Sequence, residues 1–132
     1  MATVIRGKAA VVLIVEDDRE MLNLLCDEFW GAEYQLRQAK DGDEAFRMVL
    51  QSVPDLILTD LRMPAGGADY ISRLRTIAPR CPIIVMTAFG DETTKSSVLR
   101  AGADVYFDKP VRIANLKLCA QQLLNPKIGT DS

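Results

Sequence analysis

VVLIVEDDRE, Val11 to Glu20, decides the fold: an aliphatic run that opens at Ala9 and closes at Val15 meets Glu16, Asp17 and Asp18 without a break. A continuous run with no polar alternation predicts a strand buried on both faces, as in a parallel sheet covered by helices. The three acids at its mouth repel one another at neutral pH, and crowded carboxylates need either water or a cation.

Working outward, short apolar runs alternate with segments of helical spacing. Asp18 to Trp30 places Leu22, Leu25 and Phe29 on one helical face. YQLRQA alternates and predicts a more exposed, flanking second strand. DGDEAFRMVLQS opens with an Asp41-x-x-Glu44 spacing close to a capping box, and its Ala45, Met48 and Val49 are expected to face the sheet. DLILTD is a third strand, Ile71, Leu74 and Ile77 mark a third helix, and PIIVMTA is a fourth strand. DETTKSSVLRAG predicts a fourth helix capped at Gly102, and DVYFDKP a fifth strand stopped by Pro110. A last helix carries Leu116, Ala120, Leu123 and Leu124. The expectation is an α/β domain: a five-stranded parallel sheet with helices on both faces. Residues 1–9 read as a lead-in, 10–124 as the domain, and 125–132 as a tail or the start of a linker.

Composition narrows the function. The chain has 132 residues, enough for one sizeable core. Its formal net charge of −2, with basic residues scattered, gives no electrostatic case for nucleic acid. The longest apolar run is far short of the roughly 20 residues of a membrane helix, and the N-terminus lacks a secretory pattern, so the expected compartment is the cytoplasm. Cys26, Cys81 and Cys119 include no Cys-x-x-Cys pair and read as small buried hydrophobes. The chain contains no histidine, which removes Ser-His and Cys-His catalysis. In any phosphoryl chemistry, a phosphohistidine must belong to a partner.

The polar residues fall at strand ends. The first strand runs into Glu16 and Asp17, the third ends on Asp60, the fourth reaches Thr87 and the fifth reaches Lys109. In a parallel sheet these ends share one edge, where open α/β folds bind ligands. Asp17 and Asp60 supply hard oxygen ligands for Mg²⁺, with Glu16 better placed as an outer partner holding a metal-bound water. Asp60 is also a candidate nucleophile, because carboxylates form acyl phosphates. The Thr87 hydroxyl and Lys109 ammonium suit the stabilisation of charge on phosphoryl oxygens.

At LIVEDD, DLILTDLRMP, IIVMTAFGD and AGADVYFDKP, over residues 10–124, the sequence resembles the receiver domain of two-component response regulators. The resemblance implies the flavodoxin-like strand order 2-1-3-4-5. It implies that Asp60 accepts a phosphoryl group from the phosphohistidine of a sensor histidine kinase or histidine phosphotransfer protein. Mg²⁺ would be bound by Asp17, Asp60 and the Arg62 carbonyl, with Glu16 acting through water, and no other cofactor is expected. Thr87 and Lys109 would contact the phosphoryl oxygens, and Tyr106 matches the aromatic switch position coupled to Thr87. Arg62 and Phe89 occupy the positions that flank the hydrolytic water and would set signal lifetime. The fourth helix, fifth strand and fifth helix would form the face for an output partner or a second copy. Val111 departs from the aromatic often found after Lys-Pro, and the loop after Met63-Pro64 is about one residue short.

On this reading the chain is a signalling module that catalyses only its own phosphorylation and dephosphorylation. One alternative is a phosphatase or phosphotransferase of haloacid dehalogenase type, but Leu61 and Arg62 follow Asp60 where that class has an Asp-x-Asp pair. The other is a non-phosphorylated receiver-like interaction module.

Overall fold

The computed structural model describes residues 9–30, 34–64, 66–88 and 90–124, with the backbone alone at Trp30. Phe89, the lead-in up to residue 8 and the tail from residue 125 lie outside the described residues. The elements alternate as expected: β1 (Val11–Val15), α1 (Arg19–Trp30), β2 (Gln35–Ala39), α2 (Gly42–Gln51), β3 (Leu56–Asp60), α3 (Ala68–Ile77), β4 (Ile83–Thr87), α4 (Glu92–Ala101), β5 (Val105–Asp108) and α5 (Ile113–Leu124). All strand pairs are parallel, in the order β2-β1-β3-β4-β5.

The pleat divides each buried strand between two cores. Leu13 and Val15 of β1 join Ile57, Ile83 and Val85 beneath Ala45 and Val49 of α2, Ile71 and Leu74 of α3, and Val98 of α4. Val12 and Ile14 face the other way, with Leu56, Leu58, Ile84 and Met86, against Leu25 and Phe29 of α1 and Leu116 and Ala120 of α5. Successive strand residues point to opposite faces, so a strand covered on both sides must be apolar throughout. β2 lies at the edge and is largely exposed except at Ala39, which accounts for its mixed sequence.

Local chemistry sets the helix ends. Asp18 precedes α1 and does not open it: its Oδ1 accepts the Glu20 N–H at 3.0 Å, the geometry of a cap. Asp41 caps α2 by accepting from Glu44 N at 2.8 Å, while Glu44 Oε1 accepts from Lys40 N, one residue before the usual reciprocal donor of a capping box. α4 ends on Gly102 at φ +129°, where a side chain would be strained. Val98 is the residue of α4 buried in the core, and the helix packs chiefly against α3. At the C-terminal end the Arg75 guanidinium donates to Gly102 O at 2.7 Å and pairs with Asp104 at 2.9 Å. Of the cysteines, Cys81 is buried and Cys26 and Cys119 are half-buried; all are free thiols.

Candidate functional site

Strand order reverses at β1: the chain leaves β1 toward β2, then returns over it to β3 on the other side. Loops after β1 and β3 therefore diverge and open a crevice between them. Register places Val15 beside Thr59, so Glu16 and Asp60 follow as neighbours, and Asp60 pairs with Met86, one residue before Thr87. Thr87 pairs with Asp108, and Lys109 N donates to Thr87 O at 2.9 Å. Sheet geometry thus delivers Glu16, Asp17, Asp60, Thr87 and Lys109 to one edge.

Glu16, Asp60 and Thr87 are buried, whereas Asp17 is exposed at the crevice mouth. One carboxylate oxygen from each of Glu16, Asp17 and Asp60 lies within 4.8 Å of the others. Such a set of hard oxygen donors suits Mg²⁺, which takes one or two carboxylates and keeps waters in its remaining positions. Asp60 is held on both sides: Oδ1 accepts from Leu61 N at 2.7 Å and Arg62 N at 3.3 Å, and Oδ2 faces Lys109 Nζ at 3.4 Å. Lys109 Nζ also meets Glu16 Oε1 at 2.9 Å, and Glu16 Oε2 accepts from Asp18 N at 3.2 Å.

Burial pushes the Glu16 carboxyl above its ordinary range, only partly offset by Lys109. Burial alone would lower the Lys109 pKa, yet its contacts with Glu16 and Asp60 hold it above that of an ordinary lysine. The lysine therefore stays cationic beside the carboxylates. The Lys109–Pro110 peptide is cis.

Behind Asp60 stands a pair of hydroxyls that sequence reasoning passed over. Thr59 Oγ1 donates to Asp60 O at 2.8 Å and is itself 2.9 Å from Tyr70 Oη, so Tyr70 is left to donate to Thr59. Burial raises the Tyr70 phenol well above its ordinary range, which keeps it a donor. Thr59 breaks an otherwise aliphatic strand, and that was the available signal. Gly66 was also missed: a Cβ there would lie 2.3 Å from Leu61 O, so glycine lets the β3–α3 loop fold against the chain just after Asp60.

Of the other predicted residues, Arg62 is exposed next to the crevice, and Tyr106 lies on β5 with its hydroxyl buried near Thr87. Leu99 of α4 and Leu118 of α5 are exposed on the elements expected to form an output face.

Comparison with known proteins agrees with this geometry. The response regulator receiver domain family matches residues 12–121. The transcriptional regulatory protein ZraR of Klebsiella oxytoca is 30% identical over 119 residues, covering 89% of this chain and 27% of that protein. The response regulator MprA of Mycobacterium sp. (strain KMS) is 32% identical over 125 residues, covering 92% of this chain and 54% of that protein. This chain therefore spans about a quarter to a half of the length of these relatives. A CheY-like receiver domain from Methanospirillum hungatei superposes with TM-score 0.88 at 22% identity, over 93% of this chain and 99% of that one. A putative response regulator from Chloroflexus aurantiacus gives 0.82 at 31% identity, over 89% and 98%. Among the described residues no helix is long and apolar enough to cross a membrane. With the sheet order, the crevice and the family match in agreement, the chain belongs to the response regulator receiver domain family, a signalling module.

Proposed function

We propose that Asp60 accepts a phosphoryl group from the phosphohistidine of a sensor kinase or histidine phosphotransfer protein. The observation that carries this reading is the setting of the Asp60 carboxylate, fixed by two backbone N–H groups and faced by the Lys109 ammonium inside an acidic cluster. An Asp60 oxygen attacks phosphorus, the P–N bond breaks, and the imidazole leaves with the bonding pair and takes up a proton. Mg²⁺, when bound, neutralises charge on the carboxylates and phosphoryl oxygens. Asp17, Asp60 and the Arg62 carbonyl would hold it, with Glu16 acting through a water. Lys109 and Thr87 stabilise the phosphoryl oxygens.

Phosphorylation adds close to two negative charges at a packed edge. Thr87 and Tyr106 are the switch pair, and α4, with little of its surface in the core, is the element they bias. The output partner, or a second copy, docks on α4, β5 and α5 in the cytoplasm. Arg62 shields the phosphoryl oxygens and Phe89 offers no hydrogen bond to orient a water, so the double variant Arg62→Asn, Phe89→Glu loses its phosphate faster.

A phosphorylated histidine-kinase domain tests the reading. Label moves to this chain in Mg²⁺, is blocked by EDTA, and is acid-stable but base-labile as an acyl phosphate. Transfer to Asp60→Asn at the wild-type level would exclude Asp60.

A further inference from the structure

Tyr106 presents an unusual balance. Its side chain is only partly buried, yet the hydroxyl is fully buried and has no hydrogen-bond partner among the described residues. Lys95 Nζ of α4 stands 5.9 Å from the ring centroid. A buried hydroxyl without a partner weakens the conformation that holds it, so the inward position depends on steric fit.

Gly90 supplies that fit. A Cβ built on Gly90 would lie 1.6 Å from Tyr106 Oη, 2.9 Å from Tyr106 Cζ and 2.9 Å from Thr87 Cγ2. The phenol thus occupies the space that any side chain at position 90 would need. Gly66 is blocked by backbone, whereas the three atoms nearest a Cβ at Gly90 belong to the side chains of Tyr106 and Thr87, of which the partly exposed Tyr106 ring is the freer to move and Thr87 is buried. The response open to a substitution at Gly90 is therefore rotation of Tyr106.

We infer that Gly90 is a positioning residue for the switch: its missing Cβ admits the Tyr106 hydroxyl beside Thr87 and sets the balance between inward and outward ring positions. A methyl group at position 90 closes the inward position and presses on Thr87 as well. This rests on the proposed reading of Thr87 and Tyr106 as the switch, and it adds the residue that biases that switch without a phosphoryl group. A two-state element shifts by the difference in fit between its states.

The test uses fluorotyrosine-labelled protein and ¹⁹F NMR, with the three tyrosines assigned by single Tyr→Phe substitutions. In the wild type the Tyr106 signal shows little H₂O/D₂O shift; in Gly90→Ala it takes the larger shift of an exposed ring. The Thr87 methyl signal also moves in Gly90→Ala, and Gly90→Ala costs less stability by urea unfolding in a Tyr106→Phe background, where the oxygen nearest the new methyl is gone; an equal cost in both backgrounds overturns the inference. A Tyr106 signal still shielded in a cooperatively folded Gly90→Ala overturns the inference. Should that single variant not fold, a cooperatively folded Gly90→Ala, Tyr106→Phe variant supports it, and a double variant that also fails to fold overturns it. Wild type treated with a small phosphodonor and Mg²⁺ separates the two claims. If Gly90→Ala exposes Tyr106 but phosphorylation leaves both the Tyr106 and the Thr87 signals unmoved, the positioning role stands and the switch reading falls.

Discussion

Replacing Lys109 with methionine removes the ammonium that meets two buried carboxylates, at 2.9 Å from Glu16 Oε1 and 3.4 Å from Asp60 Oδ2. At an effective dielectric near 20, each contact has a gross attraction of about 5 to 6 kcal/mol. Most of that offsets the cost of taking the ions out of water, whereas deleting one partner of a buried pair costs about 3–5 kcal/mol. The lower end applies here, because the Lys109 side chain is 16% exposed and Glu16, with its raised pKa, can take up a proton. The expected loss in EDTA is about 3 kcal/mol by urea unfolding, or roughly a 12 °C fall in Tm for a domain of this size. Mg²⁺ neutralises the same carboxylates, so in saturating Mg²⁺ the loss shrinks by at least about 1.4 kcal/mol, equivalent to tenfold tighter ion binding by the variant. A loss under about 1 kcal/mol in EDTA, or equal losses with and without Mg²⁺, would refute the coupling of Lys109 to the acidic cluster.

Tyr106→Phe removes a buried hydroxyl that has no partner among the described residues and should raise stability by about 1 kcal/mol, read as a higher urea midpoint at unchanged m-value. Arg75→Ala frees the carbonyls of Ala78, Cys81 and Gly102 and should cost about 2–3 kcal/mol. Hydrogen exchange in that variant should rise more in the last turn of α4 than in α1. Stability should also fall as pH rises above about 10. The unfolded chain ionises Tyr70 and discharges Lys109 at their ordinary pKa values, while the fold holds both pKa values higher and so retains protons that the unfolded state loses. Tyr70→Phe should flatten that alkaline decline, as measured by urea midpoints across the pH range.

The strands were legible because burial on both faces demands unbroken aliphatic runs, and β1, β3 and β4 carry them. Their polar ends followed from parallel geometry alone. Strand order did not: alternation of elements says nothing about which strand lies beside which, and 2-1-3-4-5 came from the family resemblance. Asp17 and Asp18 are chemically alike, and only the backbone turn sends Asp18 to cap α1 while Asp17 joins the cluster. The direct contact between Glu16 and Lys109 joins residues 93 positions apart, beyond the reach of local pattern. Gly90 was hidden for another reason: in sequence, a glycine that makes room for a neighbouring side chain is indistinguishable from one that makes a turn.

The most direct measurement of the central claim is intact mass after incubation with a small phosphodonor and Mg²⁺. Wild type should gain the mass of one phosphoryl group, Asp60→Asn should gain none, and Asp17→Asn should gain it far more slowly. An undiminished adduct on Asp60→Asn, or none on the folded wild type, would contradict the account.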